Sequence, residues 1–137
     1  MKRTRATAVV LRENKLLMIH RFKNGEEYFV LPGGTTEDNE TVEEAALREL
    51  KEETSLHGTV VKNIARFSDD FQTEHQLFLI ESLTGEVCLS ENSIEASIMN
   101  KDNSFEPVWV SIDEIGKLKI YPGKTKETLL KYFNLHI

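Results

Sequence analysis

The sequence has a single cysteine, Cys88, in 137 residues. No intrachain disulfide can form, a metal site built on thiolates is excluded, and a reducing compartment is the expectation. Long apolar runs are missing as well. The stretch Ala8 to Leu11 stops at Arg12-Glu13-Asn14, so the basic start Met1-Lys2-Arg3-Thr4-Arg5 lacks the hydrophobic segment of a secretory signal. Nothing approaches the roughly 18 apolar residues of a membrane span. The expectation is a cytoplasmic protein with no membrane contact. Basic charge is in deficit: 17 Lys and Arg against 23 Asp and Glu give a net charge of −6. That balance argues against nucleic acid as a partner, which needs a basic face. It leaves phosphorylated small molecules open, because a bound divalent cation reverses the local sign of the field. The histidines (His20, His57, His75 and His136) are dispersed and have no zinc-ligand spacing. Internal repeats, low-complexity tracts and linkers are absent.

What is present fits one soluble domain spanning residues 1–137, with 39% hydrophobic and 29% charged residues. Thr4 to Leu11 and Lys15 to Phe22 are rich in β-branched and apolar residues and read as a hairpin or two neighbouring strands across Arg12-Glu13-Asn14. Lys23 to Glu27 reads as a loop with Asn-Gly as its turn signal, followed by a short strand from Tyr28 to Leu31. Pro32-Gly33-Gly34 then offers backbone that can turn sharply or come close to a ligand. Thr59 to Phe67, Gln76 to Leu83 and Glu86 to Leu89 are further strand candidates, with Ser68 to Glu74 as a polar connection. Ser90 to Ser104 reads as a long loop that can hold a helical turn around Ile94 to Met99. Pro107 to Val110 is a last strand, Ser111 to Ile115 a capped short helix, and Thr125 to Phe133 a closing amphipathic helix. Strands, helix, strands, helix describe an α/β fold with a mixed sheet and helices packed on it.

The spacing predicts the strongest helix over Glu40 to Thr54. Thr41 is its N-cap and Glu44, three residues on, completes a capping box. At ~100° per residue, Val42, Ala45, Ala46, Leu47 and Leu50 form one apolar arc. Glu53 falls inside that arc, about 40° from Glu49, which lies at its edge. Glu52 lies just beside them. An ionised carboxylate on an apolar face costs several kcal/mol unless it is paired, and acids at i and i+4 repel each other. The plain alternative pairs these glutamates with Arg48 or Lys51 on a solvated face. A divalent cation with oxygen ligands removes both penalties at once, and Mg²⁺ and Mn²⁺ tolerate several carboxylates together.

These residues resemble the Nudix box of the MutT-like hydrolases. Its pattern is Gly, five residues, Glu, seven residues, Arg-Glu-aliphatic, one residue, Glu-Glu, one residue, Gly, aliphatic. The chain supplies Gly34, Glu40, Arg48-Glu49-Leu50, Glu52-Glu53 and Leu56, preceded by Leu31-Pro32-Gly33. One position departs: Ser55 stands where the box has glycine. A left-handed conformation is common at a helix end, and serine there costs on the order of 1 kcal/mol.

The resemblance implies a Nudix-type α/β/α sandwich with a mixed sheet between helices. It implies metal-dependent attack of water on the diphosphate of a nucleoside diphosphate linked to another moiety X, with Mg²⁺ or Mn²⁺ as cofactor. By the same resemblance, Glu49 and Glu53 are direct ligands and Glu52 is a ligand or the holder of a water in the metal shell. The carbonyl of Gly33 completes that shell, Arg48 orients a box glutamate, and Glu40 is a structural or outer-sphere acid. Some members add a base from a loop outside the box. Glu91 and Glu95 are the candidates, against the alternative of solvated loop acids. Arg21 is a candidate phosphate contact or a surface arginine at a strand end. Phe29 is a candidate substrate contact or a core residue. Lys117, Lys119, Lys124 and Lys126 form a basic cluster able to steer an anion, with solvated lysines as the default. Many Nudix-like proteins form homodimers, so a homodimer is among the expectations. The competing function is a catalytically silent nucleotide-binding or sensor module, which the intact Glu49, Glu52 and Glu53 oppose. Within the hydrolase class, oxidised nucleoside triphosphates, ADP-ribose, dinucleoside polyphosphates and capped RNA ends remain open as substrates.

Overall fold

The computed structural model describes residues 3–86 and 103–134. The chain opens with β1 (Arg3–Arg12) and β2 (Lys15–Lys23). Glu13 and Asn14 between them both have positive φ, 50° and 63°, as a two-residue turn matched to strand twist requires. The hairpin expectation holds only at its base. Leu11 and Arg12 pair with Leu16 and Lys15, and the strands then separate to take other partners. β2 lies between β3 (Glu26–Val30) and β7 (Asn103–Ser111), antiparallel to both. β1 pairs antiparallel with β4 (Gly33–Thr35) and parallel with β6 (Thr73–Thr84), whose other edge carries β5 (His57–Ser68). One parallel pair among antiparallel ones makes the sheet mixed.

Alternation along β1 divides the core. Ala6, Ala8 and Val10 face one side, where Ala45, Ala46 and Leu50 of helix α1 (Val42–Thr54) cover them. Val9 faces the other side, where Ile115, Leu129 and Leu130 lie. These belong to a 3₁₀ helix (Ile112–Lys117) and to helix α2 (Gly123–Tyr132). Helices therefore cover both faces of the sheet, as an α/β/α sandwich requires. No helix among the described residues is long and apolar enough to cross a membrane.

Several expectations are corrected. The Lys23 to Glu27 loop shrinks to the turn Asn24-Gly25, because Lys23 and Glu26 already pair. Gly33 and Gly34 belong to a strand rather than a turn. Ser111 makes no side-chain capping bond, and the helix it precedes is of the 3₁₀ type. Asn103 and Ser104, read as the end of a loop, begin β7, where β2 supplies their pairing. The closing helix starts at Gly123, before Thr125. Glu91, Glu95, most of the strand expected over Glu86 to Leu89 and the helical turn expected around Ile94 to Met99 lie outside the described residues.

Candidate active site

α1 delivers the carboxylates, and its N-terminus is built as the sequence indicates. Thr41 Oγ1 accepts from the Glu44 amide at 3.0 Å while Glu44 Oε1 accepts from the Thr41 amide at 2.8 Å. The helix ends at Ser55, which adopts the left-handed conformation (φ 67°) and donates its amide to the Lys51 carbonyl at 2.8 Å. Serine takes the position without changing the type of helix end.

Glu53 is buried at 8% exposure, on the face that docks against the sheet. Its Oε1 accepts from the Gly33 amide at 3.1 Å. Burial pushes its carboxyl well above the ordinary range, and a hydrogen bond and like charge from Glu49 push the same way. The Arg5 charge and the Gly33 amide pull it back in part. Gly33 and Gly34 are glycines for lack of space. A Cβ on Gly33 would strike the Ala6 carbonyl, and one on Gly34 would strike the Glu49 carboxylate. The chain must lie this close for both glutamates to reach the β4 backbone.

Arg48 ties the remaining acids together. Its Nε and Nη2 donate to the two oxygens of Glu40 at 2.8 and 3.1 Å, a fork-on-fork pair. Nη1 donates to Glu49 Oε1 at 2.8 Å and reaches Glu52 Oε2 at 3.5 Å, and Nη2 also donates to the Thr35 carbonyl. This bonding holds the Glu40 carboxyl below its usual range and raises the guanidinium further above its own. Glu52 is nearly half exposed, at the open side of the cluster. Among the described residues no three acids or histidines converge as a ready-made cage. The donor set nevertheless suits a hard cation of the Mg²⁺ type, which takes one or two carboxylates and fills its shell with water and ligand oxygens.

Beside Glu53 and Gly33 lies a cavity of about 640 Å³. Arg21 lines it, its guanidinium stacked 3.5 Å from the Phe105 ring centroid and bonded to Asn103 Oδ1 at 3.1 Å. Phe29 does not line it. Side chains alternate along β3, so Tyr28 and Val30 face the cavity while Phe29 stacks on His20 and packs against the core beneath α2. The core alternative for Phe29 is therefore the one observed. Lys119 pairs with Glu26, Lys117 with Glu114, and Lys124 donates to the Ser68 carbonyl, so these three lysines of the basic cluster are engaged on the surface.

Sequence reasoning missed Arg5, Asp69, Phe71, His75 and Phe105, all of which line the cavity. Two of them carried a legible signal. Phe71 is an isolated aromatic inside a polar connection, and it is 89% exposed at the cavity rim. Arg5 is a charge on the same strand face as buried Val9.

The sequence and the fold have counterparts. An "ADP-ribose pyrophosphatase" of Methanocaldococcus jannaschii is 35% identical over 101 residues, 69% of this chain and 60% of that protein. The chain spans between 38% and 62% of the length of the curated relatives it matches. The ORF135 protein of E. coli shares the fold with a TM-score of 0.75 at 19% identity, covering 98% of this chain and 91% of that one. A MutT Nudix hydrolase from Burkholderia pseudomallei does so with a TM-score of 0.70 at 20% identity, covering 94% and 96%. Residues 1–131 match the model of the NUDIX domain. Box residues on α1, the glycines beside them and the sandwich that positions both agree with that match, and the chain belongs to the Nudix family.

Proposed function

We propose that the protein hydrolyses a diphosphate bond in a nucleoside diphosphate linked to another moiety X, with Mg²⁺ or Mn²⁺ as cofactor. One observation carries the reading: buried Glu53 and its neighbour Glu49 meet the backbone of Gly33 and Gly34 beside a large cavity. Glu49, Glu53 and the Gly33 carbonyl would hold the metal, with Glu52 at the open edge. When bound, the metal would activate water and neutralise charge on the phosphoryl oxygens.

The chain's own residues do the rest. Arg48 fixes the Glu49 carboxylate so that its other oxygen is directed rather than rotating. Glu40 in turn fixes Arg48 through both of its own oxygens. Arg21, held flat by Phe105, presents a preoriented cation to a phosphoryl oxygen. Tyr28 and Phe105 offer apolar and aromatic surface to the part of the substrate beyond the phosphates. Glu91 and Glu95 remain the candidates for an added base. A single cysteine and a net charge of −6 support a cytoplasmic enzyme acting on small nucleotides.

The test is a panel of nucleoside diphosphate derivatives with Mg²⁺ or Mn²⁺, including ADP-ribose, oxidised nucleoside triphosphates and triphosphorylated RNA ends. Wild type should release phosphate or nucleotide only with metal, and Glu53→Gln should lose about a hundredfold or more. An inactive wild type, or an equally active Glu53→Gln, rejects the enzyme in favour of a silent binding module.

A further inference from the structure

β1 and β6 run parallel, and Arg5 and His75 are direct partners across them. Their Cα atoms are therefore about 5 Å apart and their side chains share a face. Both line the cavity. On one side of this pair stands Glu53, whose carboxyl feels the Arg5 charge. On the other stands Asp69, in the turn between β5 and β6.

His75 is almost completely buried, at 4% exposure, and its ring is held by two neighbours. Phe67 stacks on it, with centroids 5.0 Å apart and planes 12° from parallel. His75 Nε2 lies 2.8 Å from Asp69 Oδ2. The other oxygen of Asp69 accepts the amides of Phe71 and Thr73 at 2.8 and 3.1 Å. These bonds, the one from His75 foremost, hold the Asp69 carboxyl below its usual range. An ionised carboxylate only accepts, so Nε2 must be the donor. In the neutral imidazole, Nδ1 then carries a lone pair. A preoriented acceptor thus lines the same cavity as the Arg5 guanidinium, whose Nη2 donates to the Leu31 carbonyl at 3.2 Å.

We propose that His75 is a specificity-determining residue: its Nδ1 accepts a hydrogen bond from a hydroxyl or amino group of the nucleoside, while Arg5 beside it takes a phosphoryl oxygen. This rests on the reading of the cavity as a nucleoside diphosphate site. It assigns His75 no part in bond cleavage. Discrimination arises because a ligand without the donor leaves a buried acceptor unpaired.

Asp69→Asn is the informative variant. The asparagine Oδ1 can go on accepting from Phe71 and Thr73, while its Nδ2 replaces Oδ2 opposite His75. Nε2 must then accept, the ring proton moves to Nδ1, and the acceptor becomes a donor. Binding is measured by calorimetry with Mg²⁺ for the 5′-diphosphates of adenosine and guanosine. Comparison ligands are their 2′-deoxy and 3′-deoxy forms and the diphosphate of purine riboside, which lacks the exocyclic amine. The deoxy arms report a sugar hydroxyl and the purine riboside arm an amine. Wild type should bind one of the donor-deleted ligands about five- to tenfold more weakly than its parent. Asp69→Asn should erase that difference. His75→Phe, which keeps the stack on Phe67, should erase it too.

Equal binding of all donor-deleted ligands by wild type overturns the proposal, as does a difference that survives in Asp69→Asn. Absence of nucleotide binding also overturns it. Nucleotide binding with the expected discrimination but no hydrolysis upholds it and rejects only the hydrolase reading.

Discussion

The Gly34 backbone and the Glu49 carboxylate lie so close that no β-carbon fits between them. Through this contact β4 meets the glutamate-bearing side of α1 by shape. It makes the second glycine of Pro32-Gly33-Gly34 a spacer whose size determines where a glutamate points.

Gly34→Ala should therefore displace Glu49 and lower activity at least tenfold, at little cost in stability, because the group that must move is the end of a side chain. Gly116→Ala is the control, since a Cβ there meets nothing within 4 Å. Denaturant unfolding and steady-state rates measure both. A Gly34→Ala protein with wild-type rates would mean that Glu49 can leave its observed position freely.

The raised Glu53 carboxyl predicts an inverted pH response in the metal-free protein. Above the ordinary value of 4.5 the unfolded chain has released this proton while the folded protein retains it. Folding then takes up a proton, so the Glu53 contribution becomes less favourable as pH rises from that value through the raised one. Glu53→Gln removes the penalty. With chelator present, its melting temperature should exceed that of wild type, and the gap should widen as pH rises above the ordinary value of 4.5. Parallel curves for the two proteins would contradict the assignment.

Arg48→Lys keeps the charge and loses the fork. A lysine cannot engage both oxygens of Glu40 while also reaching Glu49 and the Thr35 carbonyl. Activity should fall ten- to a hundredfold, with a weaker apparent metal affinity. An unchanged metal titration would show that Arg48 only braces the helix.

Ser55→Gly should stabilise the fold, since only glycine takes φ 67° without a Cβ penalty. The gain should be about 0.5–1 kcal/mol, offset in part by glycine's greater freedom when unfolded. Chemical denaturation reads it directly. A loss of stability would mean that the serine's own interactions outweigh the Cβ penalty.

Local features of the sequence were legible because they repeat at helical spacing. The placement of Glu53 inside the apolar arc of α1 predicts its burial, and Thr41 and Glu44 make the capping box expected of them. The left-handed helix end survives the glycine-to-serine departure. Parity was less legible. Phe29 and Tyr28 are adjacent aromatics, and only the pairing of β3 with β2 decides which of them meets the cavity. The cavity floor was not legible at all. Arg5 and His75 become neighbours through a parallel pairing that no local pattern announces. Between the sharp turn and the close approach that Gly33 and Gly34 allow, only the β1 edge far upstream decides, and it holds them extended.

That parallel pairing has a consequence for the order in which the molecule acquires its parts. Arg3 to Val10 must find Thr73 to Ile80, segments about seventy residues apart, and contacts of such separation close slowly and late. The β1–β2 turn needs only its own surroundings, whereas the glutamate-bearing helix shares its core with Phe78 and Ile80 of β6. A chain halted before β6 would carry every box residue and still lack the His75 and Phe105 sides of the cavity. The motif is therefore not a portable module, and its chemistry arrives only when the two halves of the sheet have met.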